Sequence, residues 1–189
     1  AFILHILSSL NETGQACIVC SQGVLFRSGE EGKIRTNLIK GIENLAGDII
    51  EAVIALPSNL FWGTGIPACV LVLNKKKPAK RKDKILFIYG AKDFEDGKNR
   101  DKLREEDIKK IVSAFEKYQD VDKYCHVADL SELEENEFNL NVPRYVDISE
   151  PEEPIDIQEA YDEVKELESK QEELEGKVKA DLKELGIKL

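Results

Sequence analysis

At 189 residues the chain is long enough to bury one core, and 42% hydrophobic with 34% charged residues excludes a disordered chain. The net charge of −10 is uneven: Glu150–Leu189 carries 14 acidic and 6 basic residues, which leaves only −2 for the first 149 residues. The acidity belongs to the tail, so it does not exclude nucleic acid as a partner of the rest.

In chain order, Phe2, Ile3, Leu4, Ile6, Leu7 and Leu10 make one helical apolar face, stopped by turn residues at Asn11–Gly14. Ala1 already lies inside that pattern, which reads as a chain beginning part-way through a helix. Ala1–Leu10 also lacks the basic flank and cleavage site of a targeting segment. Gln15–Cys20 reads as a buried strand, followed by a glycine-containing loop, Ser21–Gly32. Lys33–Leu45 reads as a helix with Ile34, Leu38, Ile39 and Ile42 on one face. Ile49–Leu56 and Ala68–Leu73 are a second and third strand, separated by Pro57–Pro67. Their apolar runs are far shorter than the roughly 20 residues of a membrane helix. Lys75–Lys84 carries seven basic residues and one acidic, and reads as an exposed loop before a fourth strand at Ile85–Tyr89.

Glu105–Tyr118 is an amphipathic helix with Ile108, Ile111, Val112 and Phe115 facing inward. His126–Asp147 reads as irregular, apart from a short turn that Ser131 caps with Glu134. From Ile157 to Leu185 the seam Ala160, Val164, Leu167, Gln171, Leu174, Val178, Asp181, Leu185 alternates steps of four and three. Such a helix, roughly 40 Å long at 1.5 Å per residue, has too few apolar residues elsewhere to stand alone. It calls for a partner. Residues 1–148 are therefore expected to be one α/β unit and 149–189 an acidic helix for association.

A strand, a helix and a second strand make a parallel unit, while the third strand follows without a helix and is expected to return antiparallel. Ligands in such sheets bind beyond the carboxyl ends of the parallel strands, where Ser21–Gly32 and Pro57–Pro67 leave. Cys17 and Cys20 form a C-x-x-C, but on a strand their thiols point to opposite faces, and no second Cys or His pair completes a zinc site. They read as core cysteines of a cytoplasmic protein.

Pro57-Ser-Asn-Leu-Phe-Trp-Gly-Thr-Gly-Ile-Pro67 is the most informative stretch. Phe61 and Trp62 place two large rings in a loop. Either a ring anchors the loop on the core, as buried aromatics usually do, or it forms a wall for a planar ligand such as a nucleobase.

Ile54–Lys75, I-A-L-P-S-N-L-F-W-G-T-G-I-P-A-C-V-L-V-L-N-K, resembles the modification subunit of type I restriction–modification systems, which are N6-adenine DNA methyltransferases. Phe2–Leu10 with Gly14, Gly23-Val-Leu-Phe-Arg27 through Gly32-Lys-Ile-Arg35, and Asn139-Leu-Asn-Val-Pro-Arg-Tyr145 look like the same family in the same order. The resemblance covers about Ala1–Val146. It implies the C-terminal half of a Rossmann-like methyltransferase sheet, with parallel strands plus one antiparallel strand, followed by the long helix. It implies S-adenosylmethionine as methyl donor of the whole enzyme and DNA as substrate. The implied partners are the specificity and restriction subunits and a second modification subunit, with homodimerisation through Ile157–Leu185 as a further outcome.

In that family the loop matching Pro57–Pro67 lies beside the pocket for the extruded adenine. Carried over, Phe61 is the first choice for stacking and Trp62 the second, with Asn59, Gly63, Thr64, Gly65 and Arg27 contacting DNA. The catalytic Asn/Asp-Pro-Pro-Phe/Tyr motif and the glycine-rich donor motif are absent from this sequence, so no catalytic residue and no cofactor binding is expected of these residues by themselves.

Arg35 reads as a surface charge, Lys75–Lys84 as solvated or as a DNA contact, and Arg144–Tyr145 as an anchor on the sheet. His5 and His126 have no sequence partners for metal or nucleophilic chemistry. The competing reading is a non-catalytic α/β module that recruits a partner through its C-terminal helix.

Overall fold

A computed structural model describes residues 2–43, 45–98, 100–149 and 157–184. Two compact units make up the chain, Ala1–Ile148 and Ser149–Leu189. The first contains helix α1 (Phe2–Ser9), strand β1 (Gln15–Ser21), helix α2 (Glu30–Lys40), strands β2 (Ile50–Ala55), β3 (Ala68–Asn74) and β4 (Lys84–Tyr89), helix α3 (Glu105–Lys117), strand β5 (Cys125–Asp129) and helix α4 (Leu130–Glu135). The second is helix α5 (Ile157–Glu184). No described helix is long and apolar enough to cross a membrane.

The sheet order is β1-β3-β2-β4-β5, with β2 and β4 parallel and every other neighbour antiparallel. It is a mixed α/β sheet in which β1, β2 and β4 point one way. β3 runs back between β1 and β2, as the missing crossover helix implied. β5 also runs against β4, so the sheet has two reversed strands rather than one. The segment expected to be irregular after His126 thus begins in a strand, too short and too mixed in polarity to announce itself.

Alternation in the central strands feeds two cores. Val53, Ala55, Cys69, Leu71, Leu73, Ile85 and Phe87 face one, together with Leu7, Leu25, Leu38 and Leu133. Ala52, Ile54, Val72, Leu86 and Ile88 face the other, with Ile111 and Ala114 of α3. On the first face Tyr145 stacks on Phe87 with ring centroids 3.8 Å apart, and its hydroxyl donates to the Asn139 carbonyl at 2.7 Å, which anchors the C-terminal segment on the sheet.

Several expectations need correction. β1 is an edge strand, its residues alternating exposed and half-buried, because Ala16, Ile18 and Cys20 pack on the first core while the opposite face is uncovered. Cys17 is accordingly exposed and Cys20 half-buried; only Cys69 and Cys125 are core thiols. α2 ends at Lys40, where Gly41 takes φ 85 and packs against Gly47, so Ile42 falls outside the helix and is exposed. On α3, Ile108 and Val112 are exposed while Ile111 and Ala114 are buried. Asp129, not Ser131, caps α4 by accepting from the Glu132 amide at 3.0 Å. In α5, Val164, Leu167, Leu174 and Val178 are exposed; the seam's Leu185 lies outside the described residues.

The basic stretch is corrected in part: Lys76, Lys80, Lys82 and Lys84 are exposed as expected, but its other three cations are engaged internally. Lys75 donates to the Leu10 carbonyl at 2.7 Å, and the buried Lys77 ammonium bonds Asp48 and the Lys84 carbonyl. Arg81 donates to Glu51 at 2.9 Å and to the Phe115 and Glu116 carbonyls at the end of α3, with its guanidinium over the Phe115 and Tyr118 rings. Glu51 is 3% exposed at a register shift in β2, and its second oxygen accepts from Asn74 at 2.8 Å. The bulge turns this carboxylate out of the apolar alternation and toward its partners. The Tyr118 hydroxyl lies 3.0 Å from the Glu51 carbonyl, closing the network.

Removing one member of a buried pair leaves an uncompensated charge, at a cost of about 3–5 kcal/mol. Glu51→Ala is expected to lower the unfolding free energy by that much, read by urea titration with far-UV circular dichroism, while Lys80→Ala on the exposed side of the same segment leaves it within about 0.5 kcal/mol.

Candidate functional site

Because β1, β2 and β4 point the same way, the segments after Ser21, Ala55 and Tyr89 leave from one edge of the sheet. These are residues 22–29, 56–67 and 90–104. Sequence reading identified the first two. The third was missed, although β4 lying parallel to β2 requires it to emerge beside them.

Residues 56–67 bridge β2 and the start of β3. Asn59 adopts φ 54 and Gly63 φ 78, left-handed positions that asparagine tolerates and glycine favours. The Asn59 side chain lies under Gly65, where a Cβ would meet its Oδ1 at 3.0 Å. Thr64 Oγ1 accepts from the Ile66 amide at 3.1 Å, fixing the chain between the two glycines.

Phe61 and Thr64, with Ile66, Pro67 and Ala68, face Val19, Cys20 and Ser21 of β1 across an open cleft of about 270 Å³. The cleft exists because Ser21 and Ala68 are register partners, which brings the end of β1 against the start of β3. Sequence reading missed the β1 side because that contact depends on β3 entering the sheet next to β1.

Trp62 does not line the cleft. It is 72% exposed, against 44% for Phe61, and its ring lies under the Arg100 guanidinium at 4.9 Å. Arg27 is also outside the cleft lining, an exposed side chain 3.7 Å from Glu31. Arg35, read as a surface charge, is buried: it donates to the carbonyls of Phe138, Val24 and Arg27 at 2.7, 3.1 and 3.0 Å. Desolvation lowers its pKa, and the three carbonyls tie residues 22–29 to the C-terminal segment.

A second cavity, of about 220 Å³, lies between α1, α2 and β1, lined by Phe2, Ile3, Val24, Leu25, Leu38 and Leu140 with Glu31 and Arg35. Its polar groups are few and Arg35 is already engaged, so it does not fit S-adenosylmethionine, whose sulfonium, ribose and amino-acid end each need polar partners. His126 proves to have two carboxylate neighbours, Asp120 at 3.2 Å and Glu132 at 2.8 Å. Among the described residues no group of three or more His, Cys, Asp or Glu is placed to hold a metal.

A model of the family described as N-6 DNA methylase matches residues 1–154. The chain belongs to the N-6 DNA methylase family. It is 41% identical over 160 residues to the type I restriction enzyme MjaVII methylase subunit of Methanocaldococcus jannaschii, covering 83% of this chain and 27% of that protein. It is 33% identical over 187 residues to the MpnII methylase subunit of Mycoplasma pneumoniae, covering 99% of this chain and 33% of that protein. Among solved structures, the type I methyltransferase subunit from Streptococcus thermophilus superposes with a TM-score of 0.70 at 39% identity, over 77% of this chain and 30% of that one. The chain thus spans about a third or less of these N-6 methylase relatives.

Thiol reactivity reports whether the cleft wall holds. Burial raises the pKa of Cys20 and Cys125 and pushes Cys69 up to about 12, so their thiolates are scarce at pH 8. Ellman's reagent is expected to label Cys17 first, Cys20 slowly, and Cys69 and Cys125 only in urea. Early labelling of Cys69 would mean that β1 and β3 separate in the native state.

Proposed function

We propose that this chain forms the base-side part of an adenine-N6 DNA methyltransferase, the modification subunit of a type I restriction–modification system. The cleft between Phe61 and the end of β1 carries the reading. Enzymes that act on a base inside a duplex must extrude it into a pocket. Phe61 supplies a half-exposed ring in the wall of a concave site, on the edge of the sheet where such folds bind ligands. Thr64 Oγ1 accepts a backbone hydrogen, so its own proton is left to donate toward a heteroatom in the cleft. Phe61 is favoured over Trp62 as the stacking ring, since one face of the indole is already covered by Arg100.

In the whole enzyme S-adenosylmethionine supplies the methyl group. The residues of this chain hold and orient the base and limit water at its face. Nothing in this sequence matches the donor or catalytic motifs, so those roles fall to residues beyond it.

α5 is the assembly handle. Val164, Leu167, Leu174 and Val178 expose an apolar seam at the four-three spacing of helix pairing. The specificity subunit is the partner we assign to it, in a complex that also holds the restriction subunit and a second modification subunit in the cytoplasm. Pairing with a second copy is the competing outcome. This seam is also what supports the second reading, a non-catalytic module built around α5. Donor and catalytic motifs encoded upstream of Ala1 would decide for the enzyme; a start codon immediately before Ala1 would sink it.

Stacking on one base is worth about 1–3 kcal/mol, or about 5- to 150-fold. Phe61→Ala in the full-length subunit is expected to lower the methylation rate within that range without loss of fold, with Phe61→Tyr close to the parent. Unchanged kinetics in Phe61→Ala would eliminate the stacking role.

A further inference from the structure

We propose that Lys98, Arg100 and Lys102 form a grip for DNA backbone phosphates beside the cleft, with Arg100 held in position by the indole of Trp62. This rests on the reading of the cleft as a pocket for an extruded base.

The turn that carries these cations is tightly built. Glu95 and Lys102 exchange both backbone hydrogen bonds, at 2.9 and 3.0 Å. A Cβ on Gly97 would come within 1.8 Å of the Arg100 carbonyl oxygen, so the turn closes only over glycine. It is docked on the cleft loop at two points: the Asp101 amide donates to the Asn59 carbonyl at 3.1 Å, and the Arg100 guanidinium lies over Trp62. Asn59 thus serves both loops.

The cations here differ from their neighbours in lacking counter-charges. Lys110 is paired with Asp93, Arg104 with Asp107 and Glu106, and Arg81 with Glu51. Glu95 lies close enough to Arg104 to favour its charged form. Among the described residues, Lys98, Arg100 and Lys102 have no salt-bridge partner, while the other acids of the turn are the exposed Asp96 and the buried Asp101.

An exposed tryptophan with a guanidinium on its face is worth only about 0.5–1 kcal/mol as packing, a weak reason to leave so large a ring in solvent. As a shelf it makes sense. A ring under the guanidinium orients its plane, and the N–H groups at its edge are where a phosphate would make a two-pronged contact. An extruded nucleotide also brings its own flanking phosphodiesters to the rim of the pocket that receives its base. A cation turn docked on that rim meets them there.

The test uses the full-length subunit in its complex, with a duplex oligonucleotide and dissociation constants measured across a KCl series. Every phosphate that goes unneutralised lowers the slope of log K against log salt by about 0.9. The Lys98→Ala/Arg100→Ala/Lys102→Ala variant is expected to show a slope smaller by about 2–3 and to weaken equally on cognate and scrambled DNA. Trp62→Ala should reduce the slope by about 1, and Arg100→Lys, which keeps the charge but loses the planar fork stacked on the indole, should fall with it. An unchanged slope in the triple variant, with its circular dichroism intact, overturns the grip, as does a loss confined to binding of an acidic protein partner.

Base extrusion, read by 2-aminopurine fluorescence at the target position under saturating DNA, separates this result from the reading beneath it. Retained fluorescence in the triple variant and abolished fluorescence in Phe61→Ala would leave the pocket standing whether or not the grip survives. Fluorescence insensitive to Phe61→Ala would remove the pocket itself, and the grip with it.

Discussion

A chain that leaves β2 and must re-enter the sheet between β2 and β1 has little freedom in how it turns. β3 pairs with both neighbours along nearly its whole length, so its first residue, Ala68, is fixed opposite Ser21 and its third, Val70, opposite Ile54. The connection therefore has to double back over the carboxyl edge. It reaches beyond the strand ends before returning, and the left-handed residues Asn59 and Gly63 absorb the reversal. Two large side chains at positions 61 and 62 are carried outward by the same geometry. The cleft is a consequence of this insertion: its floor is the end of β1, its wall the returning loop. An ordinary crossover helix in place of the loop would have covered the edge and closed it.

The opposite end of the sheet is built on a different principle. There Glu51 with Arg81 and Lys77 with Asp48 bury charge against charge, Asn74 donates to Glu51, and Tyr118 closes the set against the backbone. Burying charges costs desolvation, which the pairing and hydrogen bonds must offset; such networks hold geometry better than they add stability. What this one holds is the relation of β2, the segment before β4 and the end of α3. The parallel alignment of β2 and β4 at the far edge depends on it, and so does the position of residues 90–104 relative to 56–67. The rigid end of the sheet sets the geometry of the open one.

These two ends differed in how far the sequence disclosed them. The apolar runs of β2, β3 and β4 and the turn residues between β2 and β3 are local signals, and both the strands and the reversal of β3 followed from them. What escaped was non-local. Lys77 and Arg81 look like solvent-facing cations until Asp48, Glu51 and the end of α3 are brought to them by tertiary contacts. Arg35 likewise completes its set of carbonyl partners only when Phe138 reaches it, 103 positions along the chain. The apolar character of Gln15–Cys20 suggested burial on both faces, yet edge position depends on sheet order, which no window of sequence reports. At the site, Phe61 and its loop were legible from composition. The β1 side of the cleft and the turn at 95–102 were not, since both are placed there by strand order and direction.

Sign of charge depends on the fold as much as burial does. The whole chain is acidic, the first 149 residues are nearly neutral, and three of the seven cations in its most basic stretch, Lys75, Lys77 and Arg81, are held by internal partners. Neither the overall charge nor the density of lysines along the chain therefore locates an anion-binding surface. What counts is a cation that folding leaves without a counter-charge and holds in one place, because only that cation meets a phosphate without first breaking a bond. By that criterion Arg100, resting on an exposed indole at the rim of the cleft, outranks every residue of the basic stretch, although a single arginine among mixed charges carries almost no signal in the sequence.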